Sequence, residues 1–192
     1  WQQYNGEIQK PHALDNQQSR AIEEIRATWQ QKNVTLVHGV TSSGKTEVYI
    51  HLIDAVLKQG KQVLYLVPEI ALTTQLTNRL QAVFGNKLVV YHSRFSNAER
   101  TEIYSSLLPI SNSEASNIQY PNLILGARSA IFLPFTNLGL IIVDEQKAIN
   151  FLKVISYFRL ANYLRPMEKD KEKHLYKPNS RFENAIDLYY FD

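Results

Sequence analysis

The sequence predicts an α/β fold, a parallel β-sheet covered by helices on both faces, and three observations lead there. Runs that are apolar at nearly every position, such as Val63-Leu64-Tyr65-Leu66-Val67 and Leu140-Ile141-Ile142-Val143, recur along the chain. They alternate with segments whose apolar residues repeat every three or four positions, the stripe of a helix. A strand apolar on both sides must be covered on both sides, and strands alternating with helices give a parallel sheet with right-handed crossovers. Third, Gly39-Val40-Thr41-Ser42-Ser43-Gly44-Lys45-Thr46 stands between one such run and one such helix. That is the strand, loop and helix setting in which the Gly-x-x-x-x-Gly-Lys-Thr pattern binds phosphate.

The first helix opens at Asp15, a good N-cap, with Gln18 three residues on as capping-box partner and Ile22, Ile25 and Trp29 as its buried stripe. Residues 1–13 read as a linker. Val34-Thr35-Leu36-Val37-His38 is a short buried strand entering the glycine-rich loop, and residues 46–59 form a helix with Tyr49, Leu52, Ile53 and Val56 on one face. Gly60 caps that helix, and residues 62–67 form a second strand ending at Pro68. A third helix carries Leu72, Leu76, Leu80 and Val83 and stops at Gly85; residues 87–91 are the third strand. Ser96 and Glu99 form a second capping box, opening a fourth helix with Ile103, Tyr104 and Leu107. Residues 109–121 are polar and aperiodic, a surface loop. Residues 122–125 and 138–143 complete five predicted strands.

Composition sets the outer bounds. A chain of 192 residues, 44% hydrophobic, builds one sizeable core with a tail rather than two full domains. The absence of cysteine removes disulfides and thiolate metal sites and suits a reducing, cytoplasmic setting. The apolar runs are strand-sized and the first residues lack the pattern of a signal peptide, so no membrane association is expected. A net charge of +3 is compatible with a polyanionic partner and equally with simple solubility. The mixed run Glu168-Lys169-Asp170-Lys171-Glu172-Lys173 reads as a solvated face or disordered segment.

The loop has the chemistry a polyphosphate needs. Gly39 and Gly44 permit backbone angles closed to other residues, so the amides of residues such as Thr41, Ser42 and Ser43 can turn toward phosphate oxygens at a helix N-terminus. Lys45 supplies a cation for the β- and γ-phosphates and Thr46 a hydroxyl for Mg²⁺. Farther on, four apolar residues precede Asp144-Glu145. Asp144 would hold Mg²⁺ through its water shell, and Glu145 would orient or deprotonate the attacking water, which favours ATP hydrolysis over small-molecule phosphorylation. In a parallel sheet, ligands bind at the carboxyl ends of the strands. The loop, Pro68-Glu69, His92-Ser93, Gly126-Ala127-Arg128 and Asp144-Glu145 each follow a strand, so all belong on one edge.

With these segments assembled, residues 14–145 resemble the first RecA-like motor lobe of superfamily 2 helicases, and among them the bacterial replication-restart helicases. The likeness rests on His38 to Tyr49 (HGVTSSGKTEVY), Leu66-Val67-Pro68-Glu69-Ile70-Ala71-Leu72-Thr73 with Gln75, and His92-Ser93 with Ser96, Glu99 and Arg100. Gly126-Ala127-Arg128-Ser129-Ala130-Ile131-Phe132 and the run into Asp144-Glu145 complete it. The resemblance implies that Gln18 reads the adenine edge. It also implies that Pro68, Glu69, Thr73, Gln75, His92, Ser93, Arg128 and Ser129 contact a DNA strand. Such groups bind phosphates without reading sequence. The implied cofactors are ATP and Mg²⁺, without zinc. The implied partners are forked or single-stranded DNA, primosome proteins and single-stranded-DNA-binding proteins.

Departures from that family pattern bear on function. Asp144-Glu145 is followed by Gln146-Lys147 rather than Glu-His, Ser42 replaces a frequent glycine, and Ala127 stands where threonine is usual. Such enzymes also carry an N-terminal DNA-binding region, a second motor lobe with an arginine finger, and cysteine-rich zinc modules, none of which is recognisable here. Residues 146–192 remain unassigned, partly helical or disordered, with Phe151, Ile155, Phe158 and Tyr163 spaced for a helix. The expectation is a motor lobe from a larger helicase, weakly active or inactive in isolation. The alternative is a nucleotide-dependent DNA- or protein-binding module without useful turnover.

Overall fold

A computed structural model describes residues 4–32, 34–37, 44–92, 94–108, 122–144 and 185–188, the last for the backbone only. Its elements run α1 (Asn16–Trp29), β1 (Val34–Leu36), α2 (Lys45–Leu57), β2 (Gln62–Leu66), α3 (Thr74–Phe84), β3 (Leu88–Tyr91), α4 (Asn97–Ser106), β4 (Leu123–Gly126), β5 (Leu138–Asp144) and β6 (Ala185–Leu188). Short 3₁₀ turns occupy Glu69–Ala71, Gly85–Lys87 and Arg128–Phe132. The six strands form one sheet in the order β1-β6-β5-β2-β4-β3, every neighbouring pair parallel. Among the described residues no helix is long and apolar enough to cross a membrane.

The two-sided strands follow the period of two that a pleated strand imposes. Val63, Tyr65 and Val67 of β2 and its extension join Leu123, Leu125, Leu140 and Ile142 on one face, under Ile22 and Ile25 of α1, the apolar side of α2, and Leu80, Val83 and Phe84 of α3. Leu64 and Leu66 point the other way, with Ile124, Ile141 and Val143, against Ile103 and Leu107 of the α4 region and Ala130, Ile131 and Leu133. Helices therefore cover both faces of the central strands, as the apolar runs require; β1, expected to be buried, instead exposes Val34 and Leu36 because it lies at the edge of the sheet. Each fully buried aliphatic side chain contributes about 1.5–3 kcal/mol relative to exposure.

The boundaries follow local chemistry. Asp15 and Ser96 head capping boxes with Gln18 and Glu99, each side chain accepting from the backbone of the third helical residue. Gly60 takes φ +73° just beyond α2, and Gly85 takes φ +53° at the end of α3, conformations open to glycine at little cost. The third helix starts later than its apolar period implies. Pro68 turns the chain into the 3₁₀ segment, Leu72 falls between turn and helix, and Thr73 caps α3 by accepting from the Leu76 amide at 3.3 Å. Gln62, buried at the start of β2, accepts from the amides of Thr136 and Asn137 and so ties down the approach to β5.

Two features depart from the simple reading. The segment expected as a linker, residues 1–13, is seated on the lobe in its described part: the Tyr4 backbone amide donates to Asn86 Oδ1 at 2.7 Å and the Gln9 backbone amide to the Ala82 carbonyl at 2.8 Å. A sixth strand lies beyond the five expected. Ala185-Ile186-Asp187-Leu188 runs between β1 and β5, pairing Thr35 with Ile186 on one side and Ile142 with Ile186 on the other. Four residues, one of them charged and 41 positions from the previous strand, carry too little pattern to announce a strand. Its partners are supplied by the rest of the sheet.

Candidate nucleotide site and strand-contact edge

Because all strands are parallel, their carboxyl ends share one edge. Asp144 closes β5, and Pro68, His92 and Arg128 follow β2, β3 and β4. Thus Lys45, Thr46, Pro68, Glu69, Thr73, Gln75, His92, Arg128 and Ser129 lie on loops and helix starts after strands, and Asp144 is the last residue of its strand. Gly39, Thr41, Ser42, Ser43, Ser93 and Glu145 lie outside the described residues, as do His38, residues 109–121 and the segment 145–184 with Gln146-Lys147 and the proposed tail helix.

The candidate nucleotide end is built from β1, β5 and the start of α2. Lys45 and Thr46 are the first two residues of α2, directly after Gly44, whose φ of +74° and ψ of 18° are left-handed. A side chain at Gly44 would be strained by that angle, and its β-carbon would collide with the Gln18 amide. Gln18 itself spans two backbone groups: its oxygen accepts from the Asp15 amide at 2.9 Å, and its Nε2 donates to the Gly44 carbonyl at 3.3 Å. The residue expected at the adenine thus also buttresses the last glycine of the loop. With β6 between them, β1 and β5 are two strand spacings apart, roughly 9–10 Å. That gap separates the strand entering the loop from the strand ending at Asp144.

Asp144 is half-buried, and burial raises its carboxyl pKa above the ordinary value, while hydrogen bonding from Tyr65 and the positive charge of Lys45 act in the other direction. The Tyr65 hydroxyl donates to Asp144 Oδ2 at 3.1 Å. A hydroxyl on a helix start, a neighbouring ammonium and a half-buried carboxylate at a strand end are oxygen-rich chemistry suited to Mg²⁺ and polyphosphate, so this donor set fits that pair.

In the first turn of α2, Glu47 is gripped by Arg79 of α3. Arg79 Nε donates to Oε1 and its terminal nitrogen to Oε2, both at 2.8 Å, with side-chain exposures of 19% and 17%. Donation from Arg79 holds the Glu47 carboxyl below the ordinary range despite partial burial. His12 Nδ1 approaches the same carboxylate at 3.5 Å. The His12 carbonyl accepts a 2.9 Å hydrogen bond from His51 Nε2, which the acceptor-only carbonyl requires to be the protonated nitrogen. This clamp joins the helix after the phosphate loop to the helix after Thr73, and it escapes sequence reading because its members are 32 residues apart.

The other end of the edge differs in kind. Glu69, Thr73, Gln75, Arg128 and Ser129 are exposed. His92 is half-buried, its ring 4.0 Å from that of Phe95 and its Nδ1 accepting from the Arg94 amide at 3.2 Å. Ala127 is buried and its amide bonds to the Tyr91 carbonyl at 3.4 Å, so the position that usually carries threonine sits inside the lobe here.

A parallel sheet with a Gly-Lys-Thr helix start facing a half-buried aspartate two strands away is the framework of nucleoside-triphosphatase motor lobes. The chain belongs to the DEAD/DEAH box helicase family, whose pattern it matches over residues 15–174. It is 45% identical over 139 residues to the replication restart protein PriA of Bacillus subtilis strain 168, a stretch covering 71% of this chain and 16% of that protein. To PriA of Synechocystis it is 47% identical over 116 residues, covering 60% of this chain and 13% of that one. To PriA of Rickettsia conorii it is 41% identical over 133 residues, covering 69% and 19%. The chain thus spans less than a fifth of the length of these curated relatives. Among solved structures, RecG bound to a three-way DNA junction superposes with a TM-score of 0.62 and 24% identity over 94% of this chain and 21% of the RecG chain, a likeness of fold.

Proposed function

We propose that this chain is the ATP-binding motor lobe of a DNA helicase acting in replication restart, hydrolysing ATP to drive translocation and unwinding in the full enzyme. The observation that carries the reading is the pairing of Lys45 and Thr46 at the start of α2 with Asp144 at the end of β5. Lys45 would neutralise the β- and γ-phosphates, and the amides of Gly39, Thr41, Ser42, Ser43 and Gly44 would cradle them at the helix N-terminus. Thr46 and Asp144 would hold Mg²⁺, which when bound draws charge from the phosphate oxygens. Glu145 would orient or deprotonate the attacking water, and Gln18 would meet the adenine.

At the other end of the edge, Pro68, Glu69, Thr73, Gln75, His92, Ser93, Arg128 and Ser129 would follow a single-stranded or forked DNA backbone. Similarity to PriA supports DNA as the partner, and extends the proposal to primosome and single-stranded-DNA-binding proteins in the cytoplasm. Gln146-Lys147 after Asp144-Glu145 favours a second reading, a nucleotide-dependent DNA- or protein-binding module without useful turnover.

Nucleotide affinity and ATP turnover with and without forked DNA, for the chain and for Lys45→Ala, test both. Losing the lysine should weaken MgATP binding on the order of 10- to 100-fold. Unchanged binding would overturn the phosphate-loop assignment. DNA-stimulated turnover would overturn the binding-module reading.

A further inference from the structure

The structure assigns Tyr65 as a positioning residue for the metal site, fixing the Asp144 carboxylate through a hydroxyl supplied by the neighbouring strand. Tyr65 is fully buried at the centre of the sheet, in a strand whose other members are apolar apart from Gln62. A tyrosine hydroxyl placed in an apolar core costs free energy unless it finds a partner, so its presence there calls for one. The partner is Asp144 Oδ2 at 3.1 Å, 79 residues away in sequence. Register explains the meeting: Tyr65 pairs with Ile142, and Asp144 lies two residues further along β5, on the same face. Tyr49 of α2 meets the Tyr65 ring edge-on, with centroids 5.8 Å apart and planes at 87°, so the helix that begins at Lys45 also braces the tyrosine.

The terminal torsion of an aspartate is broad and nearly two-fold, so an unrestrained carboxylate samples many planes. A hydrogen bond to one oxygen narrows that range and sets how the carboxylate meets a hydrated Mg²⁺. Partners that orient metal-binding carboxylates in this way are worth on the order of 10- to 100-fold in metal affinity or activity.

This inference rests on the reading of Asp144 as a Mg²⁺ residue, and the test separates the two. Binding of a fluorescent N-methylanthraniloyl-ATP is measured with excess Mg²⁺ and in EDTA for the chain, Tyr65→Phe and Asp144→Asn, with thermal unfolding as a fold control. The phenylalanine fills nearly the same volume. In Tyr65→Phe the affinity gain conferred by Mg²⁺ should fall on the order of tenfold while metal-free affinity stays within about twofold. If Asp144→Asn abolishes the gain and Tyr65→Phe preserves it, the tyrosine assignment is overturned. Equal weakening of both affinities in Tyr65→Phe would also overturn it, since a packing role alone produces that. If Asp144→Asn keeps the full gain, the aspartate reading falls, and with it the inference.

Discussion

The two ends of the strand edge are built differently. At the nucleotide end, side chains are partly or fully buried and engaged: Gln18 on Gly44, Arg79 on Glu47, Tyr65 on Asp144. At the other, Glu69, Gln75, Arg128 and Ser129 are exposed on turns and a helix start. A compact, highly charged ligand is bound best by groups fixed before it arrives, because ordering them afterwards costs affinity. An extended polyanion read without sequence preference needs only cationic and hydroxyl groups presented along a path, and much of its affinity comes from released counterions. The difference in exposure therefore suits the two ligand classes proposed for this edge.

The comparison can be broken most forcefully at Arg79. Removing it in Arg79→Ala leaves Glu47 partly buried without its bidentate partner, which should cost about 2 kcal/mol of stability, somewhat less than a fully buried pair. Urea denaturation at neutral pH checks this. Because Arg79 lowers the Glu47 pKa relative to the unfolded chain, the contribution is fully present above the ordinary carboxylate range and is lost as pH falls through the lowered value. The gap between the chain and Arg79→Ala should accordingly narrow in acid; a gap that widens would contradict the pairing.

Gly44→Ala should act next, by forcing a β-carbon into a left-handed position and against Gln18. A loss of about 1–2 kcal/mol in nucleotide binding is expected, with DNA affinity in the absence of nucleotide unchanged. Isothermal titration with each ligand separates the two. The smallest effect belongs to the exposed end. Arg128→Gln should weaken single-stranded DNA binding by about 1 kcal/mol and lower the salt slope by about one, leaving nucleotide affinity intact. A salt-independent DNA affinity would remove Arg128 and the Pro68 segment from the interface.

Legibility in the sequence follows the range of the interactions. The capping boxes at Asp15 and Ser96 and the stops at Gly60 and Gly85 are local, and each is written within a few residues. Their signals could be read directly. The later start of α3 depended on competition between an apolar stripe reaching back to Leu72 and the turn imposed by Pro68, which Thr73 resolves by capping. Glu47–Arg79 and Tyr65–Asp144 join residues 32 and 79 positions apart, and no spacing rule connects them. A signal existed only for Tyr65, a hydroxyl in an apolar strand, and it could announce a partner without saying which.

By itself, the sequence determined the alternation of two-sided strands and helices, and with it a parallel sheet with every strand's carboxyl end on one edge. It also placed Lys45, Thr46 and Asp144 directly at element boundaries, because periodicity and the phosphate-loop spacing are local properties of the chain. Strand order was left to the tertiary structure. Inserting β6 between β1 and β5, seating Tyr4 and Gln9 on α3 and its following turn, and aligning Tyr65 with Asp144 all depend on which buried surfaces and unpaired backbone groups meet once the sheet is assembled. Those meetings are decided by packing and hydrogen-bond satisfaction over long sequence separations, where single-chain periodicity carries no information.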